Sequence, residues 1–294
     1  MQPNKYPFSI MKLSKLWLGI AVTLISIGLC FIFFKGLNLG TDFTGGTAQL
    51  VRFQEKPSLN DIRQAFSKTE ITGLDLNKLQ LQVVEEKDIM FKTPELRNEQ
   101  QKQMQAVLAE NFGKVEVLES DTVGPVVGEQ LKKSAFWIML WAFGLLLIYI
   151  AFRFEVWYGV GAIIALVHDA LITLGAASIL HLEINTQFIA ALLTILGYSI
   201  NDTIVIFDRI RENFKKLKHN NTPLEITDIS IWQTMTRSIY TVLTVLICLV
   251  SIFLFGGVTT REFALAMFIG ITSGTYSSIF IASPIYVMLK NLEA

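Results

Sequence analysis

An acidic side chain within an apolar stretch is the feature of this sequence with the clearest chemical potential. The stretch, Gly-Tyr-Ser-Ile-Asn-Asp-Thr-Ile-Val-Ile-Phe-Asp-Arg-Ile-Arg-Glu-Asn, runs from Gly197 to Asn213. Asp202 lies about six helical residues, or roughly 9 Å, before the charged residues that begin at Asp208. A carboxylate below the membrane surface costs a few kcal/mol, which makes it a functional candidate. The alternative is a structural hydrogen bond to a neighbouring helix, although Asn201 could supply that bond without a charge.

Two further polar positions interrupt apolar runs and could act with Asp202. His168 and Asp169 are adjacent in the third run, and Arg237 begins the fifth. At about 1.5 Å per residue, Asp169 lies about 20 Å from the inner surface, deeper than Asp202. We therefore expect successive stations on one path rather than two carboxylates that share a proton. The alternatives are structural hydrogen bonding for His168 and Asp169, and an Arg237 side chain that extends to the membrane surface.

A pairing of Asp202 with Arg237 would suit proton coupling. Removal from water favours the neutral acid, whereas a nearby guanidinium favours the carboxylate. A tenfold change in proton affinity is about 1.36 kcal/mol, and a proton that crosses the membrane yields about 2.3 kcal/mol per 100 mV. Movement of the arginine could therefore convert proton flow into helix movement. The candidate proton-coupling residues are Asp202, Arg237, Asp169, His168 and Asn201.

The sequence contains no motif that indicates another energy source. It has neither a phosphate-binding Gly-x4-Gly-Lys-Ser/Thr loop nor a His-Glu-x2-His zinc motif. We therefore expect a protein that is not an enzyme, that has no metal or organic cofactor and that is coupled to protons.

The composition is that of a membrane protein. Hydrophobic residues make up 52% of the chain and charged residues 17%, with a mean hydropathy of +0.47. The formal net charge is zero, which gives no indication of a nucleic-acid partner. Cys30 and Cys248 both fall in apolar runs, and we interpret them as buried small hydrophobic residues rather than as a disulfide.

Six apolar segments predict six transmembrane helices and divide the chain into three parts. Residues 1–34 form a cytoplasmic N-terminus and the first helix, which we expect to be retained because no small-x-small cleavage site follows it. Residues 35–133 hold more than half of the charged residues and form a water-soluble extracytoplasmic domain. Residues 134–294 hold helices two to six and a cytoplasmic loop at 208–237. The predicted spans are residues 16–34, 134–152, 156–180, 187–207, 238–260 and 263–289.

Short basic segments set the predicted orientation. The N-terminus, the turn at Arg153, the 208–237 loop and the C-terminus carry Lys and Arg, whereas the short loops on the opposite side hold only Arg261. By the positive-inside rule, both termini are cytoplasmic and residues 35–133 lie outside.

The water-soluble segment has the pattern β-α-β-β-α-β. One helix is predicted from the capping residue Ser58 to about Lys68, and another from Thr93-Pro94 to about Asn111. This order is typical of a ferredoxin-like fold, in which two helices pack on one face of a four-stranded antiparallel sheet. The scattered carboxylates form no metal cluster or catalytic dyad, which favours a binding module. The predicted strands are residues 47–53, 79–84, 88–92 and 115–120.

Glycines and a few polar neighbours are expected to have structural roles. The motif Gly-Thr-Asp-Phe-Thr-Gly-Gly, at Gly40–Gly46, suits a tight turn just outside the membrane. The pair Gly270 and Gly274 is spaced for close helix approach. The residues with predicted structural roles are Gly40, Asp42, Gly45, Gly46, Gly124, Pro125, Gly197, Asp208, Arg209, Gly270 and Gly274.

Four stretches together give the sequence a specific family resemblance. They are Gly40–Gly46, Val-Gly-Pro-Val-Val-Gly at Val123–Gly128, the stretch Gly197–Asn213, and Gly-Thr-Tyr-Ser-Ser-Ile-Phe-Ile-Ala-Ser at Gly274–Ser283. In these stretches the sequence resembles the SecF branch of the SecD/SecF protein-export family, and the resemblance covers essentially the whole chain. Thr41 stands where an apolar residue is common in that family.

The resemblance implies a function and a set of partners. It implies half of an RND-type unit in the bacterial cytoplasmic (inner) membrane, paired with SecD and working with the SecYEG channel, often with YajC. It further implies contact with a translocating preprotein and membrane lipid, and no nucleic acid. In the family, the proton-motive force drives late steps of protein export, and residues that match Asp202 and Arg237 are tied to proton conduction.

Two other functional classes stay open. An RND-type exporter of small molecules or lipids would need a second half that this chain lacks. A non-transporting assembly scaffold would tolerate the loss of Asp202.

Overall fold

The protein, in a computed structural model, is described at residues 6, 8–69, 75–76, 78–84 and 86–293. It divides into two compact units. The membrane unit comprises the chain up to Asn38 together with the chain from Ile138 onward, and the αβ unit comprises Leu39–Trp137.

The elements follow one another as helices interspersed with short strands. A 3₁₀ turn at Met11–Leu13 precedes the first helix, and a π-helical turn at Ser278–Ala282 joins the last two helices. In chain order the elements are α1 (Ser14–Lys35), β1 (Asn38–Leu39), α2 (Thr41–Thr44), β2 (Gly46–Phe53), α3 (Leu59–Lys68), β3 (Gln80–Val83), β4 (Asp88–Thr93), α4 (Asn98–Phe112), β5 (Val115–Val123), α5 (Pro125–Arg153), α6 (Val156–Leu180), β6 (Glu183–Ile184), α7 (Thr186–Leu217), α8 (Pro223–Phe255), α9 (Val258–Ser277) and α10 (Ser283–Glu293).

The described residues contain six helical segments that are long and apolar enough to cross a membrane, as predicted. The third segment has the predicted bounds, residues 156–180. A predominantly apolar run of this length predicts a span well, even with Asp169 inside it, because a helix satisfies its own backbone in hydrocarbon. The segments are Met11–Lys35, Pro125–Arg153, Val156–Leu180, Thr186–Leu217, Pro223–Phe255 and Thr259–Lys290.

The predicted loop at residues 208–237 is wrong, because both flanking helices continue into it. α7 extends to Leu217 and α8 begins at Pro223, so the connection is limited to residues 218–222. The charged residues therefore mark a helical hairpin that leaves the apolar region, rather than an extended loop.

Local interactions explain why this polar hairpin is helical. On α7, Glu212 accepts hydrogen bonds from Arg209 and Lys216, which lie one turn away on either side. Pairs at this spacing stabilise helices. At the start of α8, Thr222 and Glu225 form a capping box that satisfies the first backbone N–H groups.

The αβ unit has the ferredoxin-like arrangement that the sequence predicts. Its sheet has the order β3-β4-β2-β5, and neighbouring strands are antiparallel. The two longer helices of the unit share one hydrophobic core with the sheet. That core includes Phe53 and Phe91 from the strands, Ile62 from α3 and Met104 from α4, all of which are buried.

The second long helix of this unit begins later than predicted. Thr93 is the last residue of β4 and is paired with Thr47 of β2. The residue predicted to start the helix is therefore part of the sheet. The side chain of Thr47 also accepts the N–H of Leu96 at 2.9 Å, which holds the connection against the sheet. Pro94 lies in that connection, and α4 begins at Asn98.

The two glycine motifs of the αβ unit pack against each other. The Gly40–Gly46 motif forms the short helix α2 and the turn after it. Gly46 has φ 129°, a conformation that other residues rarely adopt, and a Cβ there would overlap the carbonyl oxygen of Thr93. A Cβ at Gly128 would lie 3.0 Å from the backbone nitrogen of Gly45. Both motifs therefore serve close backbone approach.

Contacts within the membrane unit gather its basic segments at one end of the helix bundle. The segment before α1, the end of α5, the end of α7, the start of α8 and α10 meet there. These are the segments that the positive-inside rule places together. The contacts include the Met11 N–H donating to Asp228 at 3.0 Å, Arg153 donating to Asp208 at 2.7 Å, and the Lys290 ammonium lying 4.6 Å from the Phe214 ring centre.

The interpretation of both cysteines as buried residues is wrong. Cys30 on α1 and Cys248 on α8 are free and lie on faces that this chain leaves uncovered. An apolar side chain on a membrane helix can face lipid instead of protein, because lipid tails are as apolar as a protein core.

Candidate functional site

A fully buried carboxylate, Asp169 of α6, lies at the centre of the membrane unit. Ser199 of α7 and Ser277 of α9 donate to its Oδ2 at 2.6 and 2.7 Å, and Ser273 of α9 donates to its Oδ1 at 2.9 Å. The Nδ1 of His168 lies 2.9 Å from Oδ1. These five residues, here called the Asp169 cluster, join three helices through one carboxylate.

Close packing of α7 on α9 brings the serines to this carboxylate. A Cβ at Gly274 would lie 2.9 Å from the Cβ of Ser199, and a Cβ at Gly270 would overlap the side chain of Ile195. The pair of glycines therefore permits the close approach that its spacing predicts. Without it, Ser199 would be displaced from hydrogen-bonding distance of Asp169.

A π-helical turn directly follows the last serine of the cluster. It begins at Ser278, which is fully buried and lies 2.8 Å from the hydroxyl of Thr203 on α7. Single π-helical turns within α-helices are frequent at functional sites. Hydrogen bonding between α7 and the last span thus continues one turn beyond the Asp169 cluster.

Of the two ring nitrogens of His168, one lies within hydrogen-bonding distance of Asp169 and the other has no hydrogen-bond partner among the described residues. Its Nδ1 faces Asp169, while no described residue bonds to its buried Nε2. The ring lies beside Tyr276, with 6.1 Å between the ring centres. With a proton on Nδ1, the ring donates to the carboxylate of Asp169.

The second candidate carboxylate, Asp202 of α7, faces α8. The buried hydroxyl of Ser238 donates to its Oδ1 at 2.6 Å. Its Oδ2 is also buried, and no described residue donates to it. A buried acceptor without a donor is costly, more so when it carries a charge. Asp202 is therefore half satisfied, whereas Asp169 accepts bonds at both oxygens.

The neighbours of Asp202 on α7 differ in their surroundings. Tyr198, one turn earlier, has a buried hydroxyl to which no described residue bonds. Asn201, which the sequence groups with the proton-coupling candidates, lies on the exposed face of α7. Asn201 therefore does not satisfy Asp202 within this chain.

Arg237 is near Asp202 but not in contact with it. It immediately precedes Ser238 on α8, and its side chain is exposed. It lies close enough for an attractive electrostatic interaction with Asp202, yet no hydrogen bond or ion pair joins the two within the described chain. The side chain that does reach the carboxylate is the neutral hydroxyl of Ser238.

The two carboxylates lie closer in depth than counting residues along the sequence suggests. Ser199 contacts Asp169, and Asp202 is three residues, or about 4.5 Å of helix rise, beyond Ser199. The count from the sequence assumes that the span ends at Asp208, whereas α7 continues to Leu217. No hydrogen bond links Asp169 to Asp202 in the described part of the chain.

Serines were the residues that sequence reasoning missed. Ser199, Ser238 and Ser273 carry no signal by themselves, because hydroxyls are common in membrane helices and bond to their own backbone. Ser277 lies within the stretch Gly274–Ser283, but nothing in that stretch indicates a contact with Asp169. A usable signal is the placement of Ser199 and Asp202 one turn apart on a helix that packs mainly through apolar side chains.

The polar end of α7 is held by a separate network. Asp208 accepts from Arg153 of α5 at 2.7 Å, and the Nε of Arg209 donates to Gln233 of α8 at 2.6 Å. The amide of Asn213 also donates to Gln233, at 2.8 Å. Asp208 and Arg209, predicted to be structural, thus fasten α7 to its neighbours outside the apolar region.

The polar groups between these helices are hydrogen-bond donors and acceptors. Within the described residues, no group of three or more His, Cys, Asp or Glu side chains is placed to bind a metal ion. The groups present are carboxylates, hydroxyls and one imidazole, which together form short hydrogen-bonded links between helices.

Two protein families match the chain in separate regions. The family described as "Protein export membrane protein SecD/SecF, C-terminal" matches residues 103–292. The "SecD/SecF GG Motif" matches residues 31–55, which include the Gly40–Gly46 motif.

Named relatives and a solved structure resemble the chain over most of its length. "Protein translocase subunit SecF" of Acidaminococcus fermentans is 39% identical over 285 residues, which are 96% of this chain and 97% of the relative. "Protein translocase subunit SecDF" of Thermus thermophilus is 41% identical over 262 residues, which are 88% of this chain and 35% of the relative. The crystal structure of a Thermus SecDF superimposes with a TM-score of 0.89 at 38% identity over 99% of this chain, which spans 40% of that longer chain.

Proposed function

Because this chain belongs to the SecD/SecF family of protein-export membrane proteins, we propose that it uses the proton-motive force, together with SecD, to promote late steps of protein export. It is a multi-pass membrane protein of the SecF type, and its relatives are named as translocase subunits, which is a transport role rather than an enzymatic one. Those names favour protein export over the export of small molecules or lipids.

The proposed partner for the helix bundle is SecD. The Thermus relative is named SecDF and is nearly three times as long as the part this chain matches, which supports a second half supplied here by another chain. A row of small and polar residues along α7 is also left uncovered, and such rows favour helix packing in membranes. The row consists of Ala190, Thr194, Gly197 and Asn201. The further proposed partners are the SecYEG channel, YajC, the translocating preprotein and membrane lipid.

The proposed setting is the bacterial cytoplasmic membrane, with both termini in the cytoplasm and the αβ unit outside. The positive-inside rule supports this orientation, because the basic segments share one end of the bundle.

The observation that carries the proton role is the half-satisfied carboxylate of Asp202. As a carboxylate it leaves a buried Oδ2 without a donor. Two events can relieve that cost. A proton on Oδ2 neutralises the group, or the guanidinium of Arg237 approaches it and supplies both charge and donors. Since each event makes the other less favourable, protonation of Asp202 disfavours a close Arg237.

This competition can couple proton transfer to movement of α8. Arg237 and Ser238 are adjacent on that helix, and Ser238 already contacts Asp202. A small rotation or shift of α8 would exchange the hydroxyl for the guanidinium. The Asp169 cluster ties α7 to α6 and α9, so we propose that α8 is the moving element and that Asp169 serves as a second station or as an anchor.

The test is Asp202→Asn in the full chain, expressed with SecD. Asparagine keeps the shape and the bond from Ser238 but cannot take up and release a proton. We expect normal co-purification with SecD and loss of the part of preprotein export that depends on the membrane potential. The matched control is Glu212→Gln, which removes a carboxylate from the exposed end of the same helix.

Normal potential-dependent export by Asp202→Asn, in a complex that has assembled, would exclude the proton role. The result would then favour the scaffold function. A loss of export in Glu212→Gln of the same size would show that the assay reports general damage to α7.

A further inference from the structure

A basic cavity lies at the polar end of the membrane unit. It has a volume of about 540 Å³, which is within the range of small-molecule binding sites. It opens between the start of α6, the polar end of α7, the start of α8 and α10. Its lining residues are Glu155, Tyr158, Arg211, Phe214, Lys215, Lys218, Asn221, Pro223, Ile226 and Lys290.

The charge in this cavity comes from one face of α7. Arg211, Lys215 and Lys218 follow one another at intervals of four and three residues. Arg211 and Lys215 therefore lie on one face of α7, and Lys218 follows on the same side directly after the helix ends. The other face of the same segment is neutralised internally, because Glu212 pairs with Arg209 and Lys216. The polar end of α7 therefore has a paired face and a basic face, and the basic face lines the cavity.

A fourth cation reaches the cavity from α10, which lies far away in sequence. The ammonium group of Lys290 donates to the hydroxyl of Tyr286 at 2.9 Å and lies over the ring of Phe214. These contacts fix its position without neutralising its charge. Against the four cations, the lining contains one acidic side chain, Glu155, while Arg211 is partly balanced by Asp208 at 3.2 Å.

The wall beside these cations is apolar. Phe214, Pro223 and Ile226 line the cavity together with the ring of Tyr158. Part of the lining, Glu155 and Tyr158, lies at the start of the apolar span Val156–Leu180, where lipid headgroups are expected. An anionic group held by lysines beside an apolar wall is the chemistry of a phospholipid, whose phosphate and acyl chains meet at that level.

We propose that this cavity binds the phosphate headgroup of an anionic phospholipid. The lysines attract the headgroup, and Phe214 and Ile226 contact the adjoining glycerol and acyl region. The site is separate from Asp202 and Asp169, and it does not depend on how those residues act. A bound lipid would hold the polar end of α7 against α10, since both helices contribute cations.

The test measures lipid binding to the full-length chain purified in detergent. Phosphatidylglycerol, phosphatidylcholine and inorganic phosphate are each titrated, and native mass spectrometry counts the retained molecules. We expect saturable binding of phosphatidylglycerol to the wild-type protein. The double substitution Lys215→Gln/Lys218→Gln should weaken the affinity for phosphatidylglycerol about 25-fold, because the loss of each lysine weakens it about fivefold. The matched control, Lys216→Gln/Lys102→Gln, removes equal charge elsewhere and should change affinity less than twofold.

Three results would overturn the proposal. One is equal weakening by the control pair, which would indicate a general charge effect. Another is equally tight binding of phosphatidylcholine. The third is binding of inorganic phosphate as tight as that of phosphatidylglycerol, which would assign the cavity to a soluble anion. Should Lys215→Gln/Lys218→Gln fail to fold, the salt dependence of the wild-type protein decides, because headgroup binding by exposed lysines must weaken as ionic strength rises.

Discussion

Replacing Asp169 by leucine is expected to loosen the contacts among α6, α7 and α9. The carboxylate receives three hydroxyl bonds from other helices, those of Ser199, Ser273 and Ser277. Interhelical hydrogen bonds in membrane proteins contribute about 0.6 kcal/mol on average and up to about 1.7 kcal/mol. Three such bonds account for about 2–5 kcal/mol. Leucine keeps the branched outline, although its methyl groups are larger than the carboxylate oxygens, and it accepts none of these bonds. The loss should therefore reach at least the lower part of this range, less whatever the serines regain from their own helices.

Asparagine at the same position should cost less than leucine. Its carbonyl oxygen can still accept, and its amide can donate to hydroxyls that rotate to receive it. We expect Asp169→Asn to lose about half of the leucine effect. The difference between asparagine and wild type is specific to hydrogen bonding, since these two side chains have nearly the same volume, whereas leucine is larger.

The assay is thermal or denaturant unfolding in detergent, followed by the fluorescence of the five tryptophans. The control is Thr173→Val, also buried on α6, whose hydroxyl bonds within its own helix to the carbonyl of Asp169. A double-mutant cycle between Asp169→Leu and Ser199→Ala should give a coupling of about 0.6–1.7 kcal/mol. An Asp169→Leu protein as stable as Thr173→Val, or a coupling near zero, would refute the reasoning.

Two glycine substitutions test the close approaches that shape each unit. Gly274→Val should destabilise the membrane unit, because even a Cβ at this position would lie 2.9 Å from the Cβ of Ser199. The control is Gly197→Ala, where a Cβ would have nothing within 4 Å, and it should leave the unfolding midpoint of the isolated chain unchanged. Equal unfolding midpoints for the two variants would contradict the packing argument. Gly46→Ala should destabilise the αβ unit by more than about 1 kcal/mol, because φ is 129° and the carbonyl of Thr93 fills the space. Hydrogen exchange localised to β2 and β4 is the measurement, and unchanged protection there would rule out the strain.

Helix ends were the least predictable part of the membrane unit. The hairpin of α7 and α8 was predicted as a loop because charge density marks departure from the membrane but does not distinguish helix from coil. The distinguishing signal was present in the one-turn spacing of Glu212 and Lys216 and in the capping pair Thr222 and Glu225. In the αβ unit, by contrast, Pro94 gave a false helix start, because pairing of Thr93 in the sheet outweighed a local preference.

The membrane spans, the order of strands and helices in the αβ unit, and the presence of acids within apolar helices could all be predicted from the sequence. These follow from run length, from alternation and from the cost of burying charge, all of which are properties of the chain in one dimension. Which hydroxyls contact each acid could not be predicted, because it depends on how the helices pack. Ser199, Ser273 and Ser277 reach Asp169, while Ser238 rather than Arg237 reaches Asp202. Those pairings depend on the rotation and separation of packed helices, which close glycine contacts set and which no spacing along a single helix specifies.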